Sequence, residues 1–308
     1  MGMKTYTSTR ANPLTFLREA YSLYRIKSTD ISGQVQGTIE YMRRCEQRIE
    51  NAIGIRLESL RMLIIGPGQT PREMAYLGCR NEVVGIDLDV IPQGANPAVY
   101  VRMLKQNGVM RTVKTVARKA LGLDSRLINE LKRQLKITDL PRTQFLQMDA
   151  AAMEFPAESF DFVYSFSVFE HLPDPGAVVD ETVRVLKPGG GCYLSLHLFT
   201  SENGCHDLRI FSNNRADIPY WSHLRPQLAP LIQANAYLNK VRLADWVKLF
   251  EERMPGVQFQ FDFHERATAD TLTKELSGLR AGGELTEYTD EELLAVNMIA
   301  IWRKPPTE

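Results

Sequence analysis

A glycine turn and a distant acid are the first residues of this sequence that could do chemistry. Gly66-Pro67-Gly68 follows a short apolar run, and Asp87 lies 19 residues after Gly68. Glycines let a backbone approach a ligand closely, and the N-terminus of a following helix offers N–H groups. An acid at the end of the next strand can accept two hydrogen bonds from a ribose diol. This spacing favours a nucleoside or dinucleotide site and leaves a dehydrogenase-like sheet that binds NAD as an alternative.

Four of the five histidines lie within one 53-residue stretch. A histidine can act as the general base for a hydroxyl acceptor, which contributes about 10²–10⁴ in rate. We therefore expect His171, His197 and His206, with the neighbouring Glu170, to supply the catalytic groups. Two alternatives stay open, because each histidine could be a capping or loop residue and Glu170 could pair with Arg184. The histidine spacing matches no standard pattern of metal ligands, so no metal site is predicted.

A mixed aromatic and cationic patch follows these histidines. Its tyrosine and tryptophan are adjacent, and its histidine and arginine come within the next four residues. Such a patch suits a polar ring, which favours a small or glycosylated acceptor such as a sugar or a lipid-linked glycan. The expected substrate-binding residues are Asp207, Tyr220, Trp221, His223 and Arg225.

A strongly basic segment lies between Asn96 and Arg142. It holds eleven basic residues and three acids, a balance of 11 − 3 = +8 in a chain with no net charge. Between Val109 and Leu121 the apolar residues recur on one helical face and basic residues lie on another. Such a helix could lie on an anionic membrane, grip a phosphorylated substrate or an acidic partner, or form a solvated lid packed on the active site.

Composition and charge are those of an ordinary globular protein. Hydrophobic residues make up 44% and charged residues 24% of 308 positions, which excludes a collagen, a disordered tail and a small disulfide scaffold. Lys+Arg and Asp+Glu both number 37, so the chain has no net charge that would indicate a nucleic acid as its partner. No apolar run reaches the roughly 18–20 residues that span a bilayer. The first ten residues carry no signal-peptide core and the four cysteines are scattered, so we expect a cytoplasmic protein.

The elements that must position these groups alternate between strands and helices. Short apolar or alternating runs predict strands at 62–65, 83–87, 143–148, 160–165, 192–197, 257–263 and 296–302. Amphipathic patterns predict helices at 12–24, 35–52, 72–77, 176–186 and 242–254, and a glycine-rich turn is predicted at 187–191. This order predicts an α/β fold with a doubly wound sheet of seven strands and helices on both faces.

The same pattern predicts the domain organisation. We expect an N-terminal helical segment at 1–60 and a main domain at 61–308. Two segments exceed the minimum that the sheet requires, and both are expected on the substrate side. They are a basic helical insertion at about 91–142 and a substrate cap at about 199–240.

A longer string of residues indicates which of the possible nucleotide-binding folds this chain has. Its parts, in fixed order, are Met148-Asp149-Ala150, Phe155 to Val163, Phe169 to Pro175, and Val183 to Gly190. The string resembles the class I S-adenosylmethionine-dependent methyltransferases, in the broad group that acts mostly on small molecules and lipids. The resemblance covers about residues 62–197, with a large interruption after Asp87. It implies a Rossmann-like fold whose last strand is antiparallel, and S-adenosyl-L-methionine as the cofactor.

The resemblance also implies roles for single residues around the glycine turn. Gly66, Pro67 and Gly68 would form the loop under the methionine part of the cofactor. Asp87 would bind the ribose hydroxyls, and Leu88 would pack beside the adenine.

Further roles, and two departures from the family pattern, follow from the same resemblance. Asp149 would accept a hydrogen bond from the adenine amino group, Ala150 would offer a backbone N–H, and Ser165 would lie near the sulfonium. The family often has an acid where this chain has Ile64, and its third glycine is Thr70 here. Backbone carbonyls would then have to replace that acid in anchoring the amino group of the cofactor.

These features together predict an O-methyltransferase. Amino-methylating enzymes for DNA and RNA carry an Asn/Asp-Pro-Pro-aromatic run after the fourth strand, and this chain reads Tyr164-Ser165-Phe166-Ser167 there. No nucleic-acid acceptor is therefore expected. Three rival hypotheses remain: a methyltransferase for a natural-product or quinone-like scaffold, an inactive cofactor-binding partner that regulates another enzyme, and an RNA-binding methyltransferase that uses the basic insertion.

Overall fold

The computed structural model describes residues 30–68, 72–92, 94–138, 143–211, 215 and 218–307. The helix predicted at 12–24 lies outside these residues, and so does Thr70. Within them, the predicted strands and most predicted helices are present, with ends that shift by a few residues.

Within the described residues, seven strands form one sheet in the order β3-β2-β1-β4-β5-β7-β6. β1 pairs in parallel with β2, and β2 in parallel with β3, whereas β6 and β7 are antiparallel. This arrangement confirms the predicted α/β, Rossmann-like sheet with an antiparallel last strand. The strands are β1 (Arg61–Ile65), β2 (Glu82–Asp87), β3 (Gln144–Gln147), β4 (Phe160–Phe166), β5 (Leu186–His197), β6 (Gln258–Phe263) and β7 (Ala295–Arg303).

The helices of the described residues fall between and after these strands. None of them is long and apolar enough to cross a membrane. They are α1 (Ile31–Ile53), α2 (Arg72–Gly78), α3 (Pro97–Gln106), α4 (Val109–Ala120), α5 (Leu123–Leu135), α6 (Pro175–Val185), α7 (Leu208–Phe211), α8 (Leu243–Arg253), α9 (Arg266–Ala281) and α10 (Asp290–Leu294).

The glycine-rich segment before the fifth predicted strand is part of β5, so the turn predicted at 187–191 is wrong. The backbone N–H of Gly189 donates to the carbonyl of Lys304 at 2.9 Å, and the N–H of Lys304 donates to the carbonyl of Gly190 at 2.8 Å. Pairing with the chain after β7 therefore holds this glycine segment at the beginning of β5, which local sequence could not indicate.

The chain folds into two compact units. The first comprises the described residues of Met1–Tyr164, Glu181–Cys192 and Arg303–Glu308, and the second those of Ser165–Asp180 and Tyr193–Trp302. Except for Ser165, the expected cofactor residues lie in the first unit, and the expected catalytic and substrate residues lie in the second. The domain boundaries predicted from the sequence stay a prediction.

The basic insertion of the first unit is built from α3, α4 and α5. Leu123, Leu127 and Leu131 of α5 are buried, and Gln134 donates to the backbone carbonyl of Ser32 in α1 at 2.9 Å. These contacts attach α5 to the helical layer of that unit. Helix α4 has the opposite burial pattern: its polar Thr112 and Thr115 side chains are buried, whereas its valines are exposed.

Candidate functional site

The carboxyl ends of three neighbouring parallel strands carry the residues expected to bind a nucleoside. Gly66 follows β1, Asp87 ends β2, and Asp149 comes two residues after β3. Because β3, β2 and β1 are adjacent and parallel, these ends meet at one edge of the sheet. Open α/β sheets bind their ligands at this edge.

The glycine turn leaves open space beside its backbone. Gly66 and Gly68 both have φ of +67°, a backbone conformation that residues other than glycine rarely adopt. The N–H of Gly66 donates to the carbonyl of Ile86 at 2.8 Å, which ties the turn to β2. A Cβ at Gly68 would meet no atom of the described residues within 4 Å. The turn therefore has room for a ligand against its main chain.

A glycine inside β2 lets the turn lie close to the sheet. A Cβ placed on Gly85 would lie 3.0 Å from Cγ of Pro67 and 2.9 Å from Sδ of Met74 in α2. Both contacts are closer than ordinary van der Waals distance, so only glycine fits here without displacing the turn or the helix.

Asp87, which is expected to bind the ribose, is a buried carboxyl with defined backbone contacts. Burial raises the pKa of its carboxyl to about 6, opposed by hydrogen bonds from the backbone N–H groups of Asp89 and Gly68. The N–H of Asp89 lies 2.9 Å from Oδ1 of Asp87. Asp89 is itself buried and forms an ion pair with Arg111 of α4. Asp89 was not among the expected site residues, although its position two residues after Asp87 could have indicated that it contacts the same turn.

The other expected cofactor residues also have defined contacts. Oδ1 of Asp149 accepts a hydrogen bond from the N–H of Ala151 at 2.9 Å, which shapes the turn that contains the buried Ala150. Gln147 donates to the carbonyl of Leu88 at 3.0 Å and fixes the chain after β2. Ser165, in the second unit, is completely buried within β4.

The second unit brings a carboxylate and two histidines together. Glu170 lies in the 3₁₀ turn Phe169–His171, His197 ends β5, and His206 follows in the next loop. Nε2 of His206 and Nδ1 of His197 are 2.9 Å apart. One ligand atom from each of the three side chains lies within 4.8 Å of the others. We call Glu170, His197 and His206 the histidine–carboxylate cluster.

Neighbouring carbonyl oxygens set the ring protons of two histidines. Nε2 of His197 lies 2.8 Å from Oδ1 of Asn203, and Nδ1 of His171 lies 2.7 Å from the carbonyl of Tyr237. Because these oxygens only accept hydrogen bonds, Nε2 of His197 and Nδ1 of His171 must each carry a hydrogen and donate it. The lone pairs are therefore on Nδ1 of His197 and Nε2 of His171. Asn203 and Tyr237 were not among the expected site residues, although Asn203 lies between two of the histidines in the sequence.

Burial dominates the electrostatics of the cluster. It raises the pKa of Glu170 to about 8 and lowers the pKa of His197 to about 4 and that of His206 to about 3. Burial also lowers the pKa of His171. The carboxylate of Glu170 has no side-chain hydrogen-bond partner among the described residues, so the alternative in which it pairs with Arg184 does not hold. Arg184 pairs with Glu181 instead.

The backbone around the cluster is held from both sides. Nδ2 of Asn239 donates to the carbonyls of Phe169 at 2.7 Å and Leu172 at 3.1 Å, and its backbone N–H donates to the carbonyl of Glu170 at 2.9 Å. His206 has φ of +52°, which costs free energy for a residue other than glycine. The fold therefore maintains the position of these side chains against local backbone preference.

Comparison with known families supports the resemblance found in the sequence. Residues 94–194 match the family model described as a methyltransferase domain. These residues, about a third of the chain, are thus similar to a methyltransferase domain, in agreement with the resemblance to the class I S-adenosylmethionine-dependent methyltransferases. The matched range begins after Asp87, so the assignment of the glycine turn rests on the sequence and on the geometry described above.

Curated relatives match only part of this chain. A ubiquinone biosynthesis O-methyltransferase of Psychrobacter cryohalolentis is 40% identical over 62 residues, which is 20% of this chain and 24% of that protein. A 27-O-demethylrifamycin SV methyltransferase of Amycolatopsis mediterranei is 31% identical over 103 residues, 33% of this chain and 35% of that protein. The chain thus spans about a quarter to a third of the length of these two relatives.

Solved structures similar to this protein cover more of the chain at lower identity. A putative methyltransferase of Haloferax volcanii, in complex with the Trm112 methyltransferase activator, is 13% identical, with a TM-score of 0.45. The match covers 92% of this chain and 98% of that chain.

The aromatic residues expected to bind substrate have partners within the second unit of the protein. Trp221 is completely buried in a cluster with Leu272, Leu276 and Leu293, and its Nε1–H donates to the carbonyl of Leu293 at 3.3 Å. The guanidinium of Arg215 lies over the ring of Tyr220, 4.2 Å from its centroid. These contacts are those of core residues.

The charged residues of the expected substrate patch also have internal partners. Arg225 donates two hydrogen bonds to Glu284, at 2.6 and 2.8 Å. The carboxylate of Asp207 pairs with Arg209 at 2.6 Å and accepts from the N–H of Gln233 at 2.7 Å. Nε2 of His223 lies 2.9 Å from the carbonyl of Phe199. Substrate binding by these five residues stays a prediction that the geometry does not support.

Proposed function

We propose that this protein transfers the methyl group of S-adenosylmethionine to a hydroxyl oxygen of a small acceptor. The observation that carries the proposal is the convergence of Gly66, Gly68, Asp87 and Asp149 at one sheet edge of a chain with a methyltransferase domain. When bound, the cofactor supplies a methyl group already activated on a sulfonium. Asp87 would accept hydrogen bonds from the ribose hydroxyls, and Asp149 would accept one from the adenine amino group.

The acceptor hydroxyl must lose a proton in this reaction. As the oxygen–methyl bond forms and the carbon–sulfur bond breaks, the hydroxyl proton passes to a base on the protein. We assign this role to Nε2 of His171, because the Tyr237 carbonyl fixes the opposite ring nitrogen as a donor. The His171 side chain is 13% exposed and can meet an acceptor, whereas His197 and His206 are buried and bonded to each other.

A hydroxylated quinol or natural-product scaffold fits this protein better than a sugar does. The sugar hypothesis depended on the basic insertion and on the patch with Trp221, His223 and Arg225, whose three side chains bond to Leu293, Phe199 and Glu284 inside the protein. The partial relatives include proteins named for ubiquinone biosynthesis, for 2-methyl-6-phytyl-1,4-hydroquinone and for rifamycin. A hydrophobic aromatic hydroxyl is therefore the acceptor class that we propose.

A labelled-methyl assay tests the reaction and the base together. The purified protein is incubated with S-adenosylmethionine and with panels of quinols, phenols and sugar polyols. We expect methyl ethers of the aromatic hydroxyls, and we expect His171→Ala to lower kcat by about 10²–10⁴ with cofactor affinity unchanged. Methylation at nitrogen or carbon only, or full turnover by His171→Ala, would contradict the proposal.

An exposed apolar face of the insertion supports contact with an anionic membrane surface. In α4, Val109, Val113 and Val116 are 66%, 50% and 46% exposed, while Thr112 and Thr115 are buried. The insertion that carries this face has a balance of +8, which complements anionic headgroups. A quinol dissolved in such a membrane would be accessible to a protein bound there.

Vesicle sedimentation tests this contact. We expect binding to phosphatidylcholine vesicles that contain phosphatidylglycerol, weaker binding to phosphatidylcholine alone, and release by salt. Val113→Asp should reduce binding, whereas Leu231→Asp, which alters an exposed leucine in the second unit, should not. Equal binding of wild type and Val113→Asp would refute the membrane contact and leave the methyltransferase proposal intact.

The cysteines are consistent with a reducing compartment. All four lie within the described residues, and none forms a disulfide. Thiols of this kind persist where glutathione and thioredoxin keep them reduced. The cytoplasm is therefore the location included in the proposal.

A further inference from the structure

We propose that the histidine–carboxylate cluster of Glu170, His197 and His206 binds a divalent transition-metal ion, with Zn²⁺ as the best chemical match. The three side chains come from separate elements, the 3₁₀ turn, the end of β5 and the following loop. One ligand atom from each lies within 4.8 Å of the others. This spacing allows a single ion to bond to all three.

An unsatisfied buried carboxylate points independently to a cation. The side chain of Glu170 is 2% exposed, and neither of its oxygens has a partner at full hydrogen-bond geometry among the described residues, although the backbone N–H groups of Glu170 and His197 lie near the carboxylate. Burial of a carboxylate without strong partners is unfavourable, because the low-dielectric interior disfavours its charge. A bound cation would remove this penalty, and no Lys or Arg pairs with Glu170 in the described part of the chain.

The surroundings prepare the histidines for coordination. Nε2–H of His197 donates to Oδ1 of Asn203 at 2.8 Å, which places the ring lone pair on Nδ1, the atom that faces His206. Ser201 donates to the same amide oxygen at 3.1 Å. Histidines that bind metals commonly donate their other ring N–H to an oxygen in this way. Asn203 is therefore a positioning residue for the ion.

The donor set selects the class of ion. Two imidazole nitrogens and one carboxylate oxygen suit Zn²⁺ and related transition ions, whereas Mg²⁺ and Ca²⁺ prefer oxygen ligands only. Three protein ligands are typical of catalytic rather than structural zinc sites, because they leave a coordination position open. Nε2 of His171 lies 3.9 Å from Oε1 of Glu170, so the base that we assign stands next to the site.

An ion here would have a defined task in the reaction. A hydroxyl that occupies the open position would lose its proton more readily, because the ion acts as a Lewis acid. His171 could then accept that proton. This task rests on the proposed function, whereas the binding of the ion does not.

The sequence predicts no metal at this position, and the reason is the spacing of the ligands. Glu170 precedes His197 by 27 residues, and His206 follows it by nine. No standard ligand motif has these intervals. The fold brings the three residues together through β5, which only the structure reveals.

Direct metal binding tests the inference. The full chain is stripped with a chelator and titrated with Zn²⁺ or Mg²⁺, and bound metal is measured by elemental analysis. We expect about one Zn²⁺ per chain and no Mg²⁺ uptake. Glu170→Gln and His197→Ala should lose the ion, and Asn203→Ala should bind it about 10–100-fold more weakly.

Controls keep the outcomes distinct. His264→Ala removes a histidine outside the cluster and should keep full Zn²⁺ affinity, and circular dichroism of every variant checks folding. Absence of Zn²⁺ uptake by the wild type, or equal uptake by Glu170→Gln, would overturn the metal site. S-adenosylmethionine titrations on the same samples show separately whether the cofactor proposal holds.

Discussion

At the residue scale, Asp87 gives the cofactor site a predicted dependence on pH. Its carboxyl has a pKa of about 6, raised by burial, with Asp89 and Arg111 as its charged neighbours. Only the ionised form accepts two hydrogen bonds from a ribose. Affinity for S-adenosylmethionine should therefore be constant above pH 6 and fall by up to about tenfold per pH unit below it. Isothermal calorimetry across pH measures this, and Asp87→Asn should remove the dependence; a slope that persists in that variant would contradict the assignment.

Trp221 offers a second test at the residue scale, between a core residue and a sugar-binding residue. Because its ring is completely buried against leucines, Trp221→Ala should lower the free energy of unfolding by about 3–5 kcal/mol. Chemical denaturation measures the change. A stable, folded Trp221→Ala protein with only a raised KM for a glycosylated acceptor would restore the sugar hypothesis.

The sequence predicted the positions of the residues expected to bind the cofactor better than the positions of those expected to act on the acceptor. Gly66, Asp87 and Asp149 each lie at the carboxyl end of a strand, so finding the strands was enough to place them at one edge. The cluster of Glu170, His197 and His206 depends on how distant segments fold back, and its partner Asn203 belongs to no motif.

At the element scale, the contact between β2 and the glycine turn predicts the effect of one methyl group. Gly85→Ala places a Cβ 3.0 Å from the rigid ring of Pro67. We expect the turn to shift, with a loss of about 1–3 kcal/mol in stability and weaker cofactor binding. Thermal unfolding and calorimetry measure both effects.

Gly37→Ala is the matched control. Gly37 is exposed in α1, and a Cβ there would meet no atom within 4 Å, so this change should be neutral or stabilising by up to about 1 kcal/mol. If Gly85→Ala behaves like Gly37→Ala, the close packing of Pro67 on β2 does not control the turn.

The elements themselves were partly predictable. Buried strands such as β1 and β2 have continuous apolar runs, which is why their predicted bounds were accurate. α9 had no counterpart in the sequence analysis, although Leu272 and Leu276 carry helical spacing. In α4 the predicted periodicity is correct, but which face is buried depends on tertiary packing, and the threonines rather than the valines lie inside.

At the scale of the whole molecule, charge and chemistry are unevenly distributed. The chain has no net charge, yet its basic insertion carries +8 and is balanced by acids elsewhere. The first unit holds most of the residues expected to bind the nucleoside, and the second holds the histidines and Glu170. Composition alone predicted a globular protein, and it could not indicate this division because charges and histidines are counted without regard to position.

The central claim is that this chain binds S-adenosylmethionine through Asp87. Calorimetric titration of the purified protein with S-adenosylmethionine, S-adenosylhomocysteine and NAD tests it most directly. We predict saturable binding of the first two at about one site per chain, no binding of NAD, and loss of binding in a folded Asp87→Ala variant. Binding of NAD instead, or no binding of S-adenosylmethionine by the wild type, would contradict the account.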